Sequence, residues 1–334
     1  MSINYGLIGC GRIGSRHAVQ MARTGTVVAV CDIDPVVAKE FGDKYDCPYY
    51  IDIESMLLSH PSIDLVSVCT PNGLHSEHSI TCLNADVHVL CEKPLAINKE
   101  DAEAMIRVAD ANDKRLYVVK QNRYNPPVVA VKNMLREDKL GKILSFQING
   151  FWNRPNMYYG DSWRGTLKLD GGTLYTQFSH FIDLLYWFLG DVKSVQATIK
   201  NYEHRVIEIE DTGVILFEMM SGAIGTMNYT VNSFQKNMEG SFTIFGEKGT
   251  VKIGGQYLNE LEYECTGSEK TILQKDGNVA NNYGFYQGSM SNHNIVYDLL
   301  TEAIANPDFE FAQAKDGLKT VEIIEKIYQN ATSK

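Results

Sequence analysis

The sequence predicts a two-domain α/β chain, an N-terminal doubly wound parallel sheet followed by an α+β domain with a largely antiparallel sheet. Three observations carry that reading. Up to about Val119, apolar strand-like runs alternate with helix-like segments, the pattern of parallel βαβ units. Between the first strand and the first helix lies Gly9-Cys10-Gly11-Arg12-Ile13-Gly14, a glycine turn in the context that gives it meaning. From Val192 to about Leu273 the chain alternates and turns repeatedly, with hairpin-like joints at Ser221-Gly222 and Gly246-Glu247-Lys248-Gly249. At 334 residues the chain exceeds what one core usually serves. The expected division is 1–122 and 123–334, with the last helix packing back on the first domain.

In order, Ile3 to Ile8 reads as a strand and the glycine turn leads into a helix through His17 and Met21. Glycine at the first two motif positions lets the backbone turn and approach a pyrophosphate, and the third lets helix and strand pack closely. The helix start supplies free N–H groups for an anion. The strand Thr26 to Cys31 ends in Asp32, placed to accept hydrogen bonds from a ribose diol and to repel a 2′-phosphate, so NAD is favoured over NADP. Asp34-Pro35 supplies the next helix with its cap and first-turn proline. Leu65 to Thr70 is nearly continuous in apolar residues, as a strand covered on both faces should be. It ends in Pro71-Asn72-Gly73-Leu74-His75, where Thr70, Asn72 and His75 are candidates to line the nicotinamide pocket. After a helix through Ser79 and Leu83 comes His88 to Cys91, then Glu92-Lys93-Pro94. The proline biases Lys93 away from helical angles, holding its ammonium at a strand's carboxyl end, where open parallel sheets bind ligands. Asn98 with Asp101 caps a helix to about Asn112, and Arg115 to Val119 closes the alternation.

Gln121 to Pro127 marks the crossing between domains. Past a helix (128–136) and a strand (142–150), a stretch carrying Trp152, Arg154, Tyr158, Tyr159, Trp163 and Arg164 is too rich in aromatics and arginine to lie exposed. A substrate wall or a subunit contact follows, with Arg164 a clamp for phosphate or carboxylate. Thr173 to Leu189, closed by Gly190, is expected as one buried helix with Thr173, Thr176, His180 and Asp183 on one face. The sheet that follows has no obvious helix to cover its outer face, which could pair with another subunit. Ser291-Asn292-His293 opens a helix to about Ala305, and Asp316 to Gln329 forms the last.

Composition narrows the function. With 44% hydrophobic and 22% charged residues the chain is globular, and a net charge of -10 argues against a nucleic-acid surface. No run reads as a signal peptide or a membrane span, and the seven irregularly spaced cysteines fit reduced thiols in a cytoplasm. His75 and His78 lie near Cys69, Cys82 and Cys91, but no structural-zinc spacing occurs, so no metal is expected.

Over essentially its whole length the chain resembles the Gfo/Idh/MocA oxidoreductases, through the Gly9 to Gly14 turn, Cys91-Glu92-Lys93-Pro94 and the segment holding His180 and Asp183. Within that family it is most similar to the WlbA or WbpB type, dehydrogenases of UDP-N-acetylglucosaminuronic acid in surface-polysaccharide synthesis, at Trp152-Asn153-Arg154, Ser162 to Gly165, Asp170 to Asp183 and Ser291-Asn292-His293. The resemblance implies a Rossmann domain, oxidation of a C3 hydroxyl by NAD, and in some members reoxidation by 2-oxoglutarate. It also implies catalysis by Lys93 and His180. Many family members carry an aspartate where this chain has Thr176, which favours the nucleotide-sugar subgroup.

The expected cofactor set is Gly9, Gly11, Arg12, Ile13, Gly14, Asp32, Thr70, Asn72, His75, Glu92, Lys93 and Gln121. The expected substrate set is Lys93, Asn122, Arg123, Trp163, Arg164, Thr176 and His180. Either Lys93 or His180 could take the hydroxyl proton. An ordinary lysine must come down by roughly three units to act as a base near neutrality, about 4 kcal/mol, whereas histidine needs almost nothing, so His180 is the easier base and Lys93 the polarising cation. A free polyol or simple-sugar dehydrogenase, and a non-catalytic NAD-dependent sensor, are the competing readings. A homodimer or homotetramer through the second sheet is expected.

Overall fold

The computed structural model describes residues 2–160, 162–267, 270–273, 277–306 and 308–332. Its contacts divide into two units, Met1–Val119 with His293–Val321, and Lys120–Asn292 with Glu322–Lys334.

The first unit contains β1 (Ile3–Ile8), α1 (Arg12–Thr24), β2 (Gly25–Cys31), α2 (Pro35–Tyr45), β3 (Tyr49–Tyr50), α3 (Ile53–Ser59), β4 (Leu65–Val68), α4 (His75–Asn84), β5 (His88–Cys91), α5 (Lys99–Ala111) and β6 (Leu116–Val118). The six strands pair in the order β3-β2-β1-β4-β5-β6, all parallel. Strand order reverses between β1 and β4, and at such a switch point the strand ends diverge and leave a crevice. β4 is buried at every position, as its unbroken apolar run requires. Asp34 caps α2 through Val36 N and Val37 N, and Asn98 caps α5 through Asp101 N. A late segment, beginning with α10 (His293–Ala305), belongs to this unit and packs on α1. The division between units falls inside the last helix, α11 (Ala314–Gln329), after Val321.

The second unit contains α6 (Pro126–Arg136), β7 (Ile143–Phe151), α7 (Asn156–Tyr159), α8 (Thr173–Thr176), α9 (Ser179–Leu189), β8 (Val192–Lys200), β9 (Thr212–Met219), β10 (Ile224–Thr230), β11 (Glu239–Gly246), β12 (Thr250–Gly254), β13 (Glu260–Cys265), the hairpin β14 (Ala280–Asn282) and β15 (Gln287–Met290), and β16 (Ala331–Thr332). Its eight-stranded sheet runs β13-β12-β11-β7-β10-β9-β8-β16. It is mixed, because β7 enters its middle parallel to β10 and β16 joins its edge parallel to β8. Along β9, Ile215, Phe217 and Met219 are buried while Val214 and Leu216 are about half exposed. One face is thus core, and the other carries Val214, Leu216 and Ile224 among polar residues such as Gln147, Asn228 and Gln196.

The single helix expected over 173–189 is two pieces. Gln177 and Phe178 break it, with Phe178 at φ -111° and ψ 5° before α9. Packing explains the break: Phe178 is fully buried against Trp152, Phe181 and Tyr229, with its ring in the space a side chain at Gly150 would need. Tertiary packing overrides a locally continuous helical pattern.

Candidate functional site

In the first unit the expected cofactor residues gather at the carboxyl ends of the parallel strands. Gly9 follows β1 at φ +91°, and a Cβ there would stand 2.7 Å from the Cys69 carbonyl. A Cβ on Gly14 would lie 2.0 Å from the Gly9 oxygen, so only glycine lets α1 start this close to β1. Gly11, the N-cap of α1, carries no side-chain cap, and a Cβ there would meet nothing within 4 Å. Arg12 and Ile13 open the helix beside it. An uncapped helix start over a glycine turn fits the pyrophosphate of a dinucleotide. Asp32, at the end of β2, accepts the Cys10 N–H at 2.8 Å and the Asp34 N–H at 3.0 Å, which fixes the carboxylate beside the turn. Thr70 lies two residues past β4, and Asn72 is buried in the short turn after it.

Lys93 leaves β5 half-buried and is followed by a cis peptide to Pro94. Two expected cofactor residues have other work here. His75 faces the Pro94 oxygen at 2.6 Å through Nδ1 and the Thr70 oxygen at 2.9 Å through Nε2. Burial lowers its pKa, with the two carbonyls opposing. Both facing atoms are acceptors, so each contact needs an N–H from the ring, and the shorter one, from Nδ1 to the Pro94 oxygen, ties His75 to the Lys93-Pro94 turn. Glu92 turns inward to His17 and His293, not toward a ligand. Burial alone would raise its pKa, yet the N–H groups of the two histidines hold it well below the usual carboxylate range.

In the second unit His180 is buried in the first turn of α9, with Gln121 Nε2 at 3.4 Å from its Nε2. Gln121 Nε2 also reaches the Ser289 hydroxyl at 3.3 Å, leaving Gln121 Oε1 buried with no hydrogen-bond partner. Both amide atoms of Asn122, 2% exposed, are in the same state. Buried amides without partners are rare unless a ligand completes them, so Gln121 and Asn122 remain candidates for ligand contact.

Two residues of the expected substrate set have partners within the fold. Arg123 is buried in a bidentate pair with Asp183, at 2.8 and 2.7 Å, and lies over Trp187. Lys120 Nζ approaches the same carboxylate at 2.9 Å. Burial works against the Asp183 charge, but the two cations outweigh it and keep the carboxyl below its ordinary range. Arg123 therefore anchors α9 through Asp183. Thr176 donates its hydroxyl to Asp170, which also accepts the Gly165 N–H at 2.7 Å. A carboxylate thus stands beside Thr176 after all, delivered from six residues upstream. Thr173 donates to the Glu210 carbonyl, so the four polar residues expected on one helical face serve separate partners.

The aromatic and arginine stretch builds the other feature. Arg154 is 4% exposed and lies over Trp152, Tyr158 and Tyr286 at 5.1–5.4 Å. Its polar contacts are Asn153 O at 2.7 Å and Asn237 Oδ1 at 3.4 Å, with Nε unpartnered. Arg164 lies over Tyr158 at 5.0 Å and Trp163 at 4.7 Å, its Nε also unpartnered. Among the described residues neither guanidinium forms an ion pair. Sequence alone pointed to Arg164 and Trp163 and assigned Arg154 only to the wall; its partners Asn237 and Tyr286 lie far along the chain, so no local signal could have marked its burial.

Comparison with known proteins places the chain in a family. Residues 3–120 match the model described as the Oxidoreductase family, NAD-binding Rossmann fold, and residues 128–252 match the GFO/IDH/MocA C-terminal domain. The WlbA dehydrogenase of Chromobacterium violaceum, solved with NADH and UDP-GlcNAcA, is 35% identical at a TM-score of 0.90, covering 98% of this chain and 93% of that one. The Bordetella pertussis WlbA complex with the same two ligands is 32% identical at a TM-score of 0.88, covering 99% and 96%. An inositol 2-dehydrogenase of Salmonella typhimurium is 28% identical, covering 76% of this chain and 74% of its own.

Proposed function

Because the chain belongs to the Gfo/Idh/MocA oxidoreductases and is a sugar or polyol dehydrogenase with an NAD-binding Rossmann domain, we propose that its substrate is a UDP-linked N-acetylhexosaminuronic acid. Its C3 hydroxyl is oxidised in nucleotide-sugar biosynthesis for surface polysaccharides. The observation that carries this reading is the pair Arg154 and Arg164. Two guanidinium groups without an ion-pair partner among the described residues, one of them buried, are costly unless an anion joins them. A diphosphate or a uronate supplies that charge, and a neutral polyol does not. The planar fork suits both anions, and the aromatic faces hold the forks in place.

NAD accepts the hydride when bound. In this reading the glycine turn and the start of α1 hold the pyrophosphate, Asp32 takes the ribose diol, and Gln121 and Asn122 complete their amides on ligand. His180 removes the hydroxyl proton while Lys93 polarises the oxygen, in keeping with the lower cost of an imidazole base near neutrality. 2-Oxoglutarate serves as reoxidant, and two or four copies assemble through the outer face of the second sheet. The curated inositol dehydrogenases support a second reading, a free-polyol substrate. Following NADH absorbance with UDP-N-acetylglucosaminuronic acid and with a panel of free inositols and hexoses separates them. Turnover of the UDP-sugar acid is expected; turnover of free polyols alone would overturn the proposal.

A further inference from the structure

Inside the first unit, directly after β5, one buried carboxylate gathers three separate elements. Glu92 Oε1 accepts from His17 Nε2 of α1 at 2.9 Å and from His293 Nε2 at the start of α10 at 3.2 Å. Its Oε2 accepts the backbone N–H of Lys93 at 2.9 Å. Glu92 is 4% exposed, His17 0% and His293 2%. Behind His17 the chain of partners continues: its Nδ1 meets the Tyr297 hydroxyl at 2.9 Å, which meets the Ser67 hydroxyl at 2.8 Å. One assignment of protons satisfies all of them, Ser67 donating to Tyr297, Tyr297 to His17 Nδ1, and His17 Nε2–H to Glu92. Burial lowers the pKa of His17, which keeps it the neutral ring this assignment needs. The same three ligand atoms lie within 4.8 Å of one another and have the chemistry of a metal site. Both histidine nitrogens also lie at hydrogen-bond distance from Oε1, an arrangement that N–H donors satisfy without an ion.

We infer that Glu92 is a positioning residue for Lys93, its carboxylate clamped by His17 and His293 so that the helix behind the glycine turn and the backbone of the lysine share one anchor. A charged acceptor makes stronger bonds to three N–H groups than an amide would, and an amide at this position must also turn a donor toward another donor. The consequence is a lysine whose backbone cannot shift unless α1 or α10 shifts with it.

The inference rests on the role proposed for Lys93, but its test does not need turnover. Lysine amines of the NAD-loaded protein are labelled competitively with trace acetic anhydride and read by peptide mass spectrometry. In Glu92→Gln, Lys93 should label at least roughly threefold faster relative to the other lysines, while the dissociation constant for NAD stays within about threefold. With UDP-N-acetylglucosaminuronic acid, kcat should fall about tenfold or more at little change in KM. His17→Gln, which keeps an N–H directed at the carboxylate, should restore labelling to within about twofold of the parent. Where Glu92→Gln does not fold, Glu92→Asp keeps the charge, shortens its reach and should raise Lys93 labelling as well. Unchanged Lys93 labelling in both Glu92 variants, or one tightly held metal ion per chain of the parent, overturns the inference. Normal labelling behaviour with no turnover of the UDP-sugar would instead count against the proposed substrate alone.

Discussion

Lys93 is half-buried at the end of β5 with its backbone N–H held by Glu92 and its proline held by His75. Replacing its ammonium leaves those contacts in place, so Lys93→Met should abolish turnover while NAD binding, measured by titration, stays nearly intact; preserved turnover would remove Lys93 from the chemistry. Arg154 and Arg164 carry the anion in the proposed function. A charge-assisted hydrogen bond is worth about 1.5–3 kcal/mol, so Arg164→Met should raise KM for the UDP-sugar roughly ten- to a hundredfold with a smaller change in kcat. Steady-state kinetics decide it, and an unchanged KM would place the anion elsewhere. These residues differ in how far the sequence reveals them. The glycine turn, Asp32 and Lys93 are legible because glycine spacing, a strand end and a following proline are local constraints. Asp170 beside Thr176, Arg154 over Tyr286, and His17 against Glu92 join residues brought together only by the fold.

At the scale of elements, β1, β2, β4, β5 and β6 occur in the expected alternation because each βαβ unit is local, whereas the two-residue β3 and the short α3 carry too little pattern to be read from the chain. The break between α8 and α9 is not legible either, since the demand of Phe178 for the space over Gly150 is invisible along the chain. α9 is fixed instead by Asp183 against Lys120 and Arg123. Asp183→Asn leaves two buried cations poorly compensated, and should cost about 3–5 kcal/mol in denaturant unfolding; a loss near zero would make the network dispensable. α8 and α11 meet at Glu210, whose Oε1 accepts from Tyr229 Oη at 3.0 Å and Tyr328 Oη at 2.8 Å, while Tyr328 also accepts the Leu174 N–H. Burial raises its carboxyl from 4.5 to about 7. The folded protein then holds this proton more tightly than the unfolded chain, so the contribution is fully present below about 4.5 and is lost as pH rises to about 7, a change of roughly 3 kcal/mol. Across that window Tm of the parent should fall relative to Glu210→Gln; parallel curves would show that Glu210 is already ionised in the fold.

For the whole molecule, the two-part α/β architecture is readable from length and from the change of pattern near Gln121, while the mixed order of the second sheet is not. β7 pairs with β10 and β11, strands more than 70 residues away, and pairing over such separations leaves no mark in local periodicity. The outer face of that sheet, with Val214, Leu216, Ile224 and Tyr263 about half exposed, is the kind of surface that a second copy covers. Leu216→Lys should reduce the mass measured by light scattering to that of one chain, and an unchanged mass would move the interface elsewhere. The central claim is narrower, that hydride leaves C3 of an anionic nucleotide sugar for NAD. UDP-N-acetylglucosaminuronic acid carrying deuterium at C3 tests it directly: the account predicts NADH heavier by one deuterium by mass spectrometry. Unlabelled NADH, or none while a free inositol is oxidised, would contradict it.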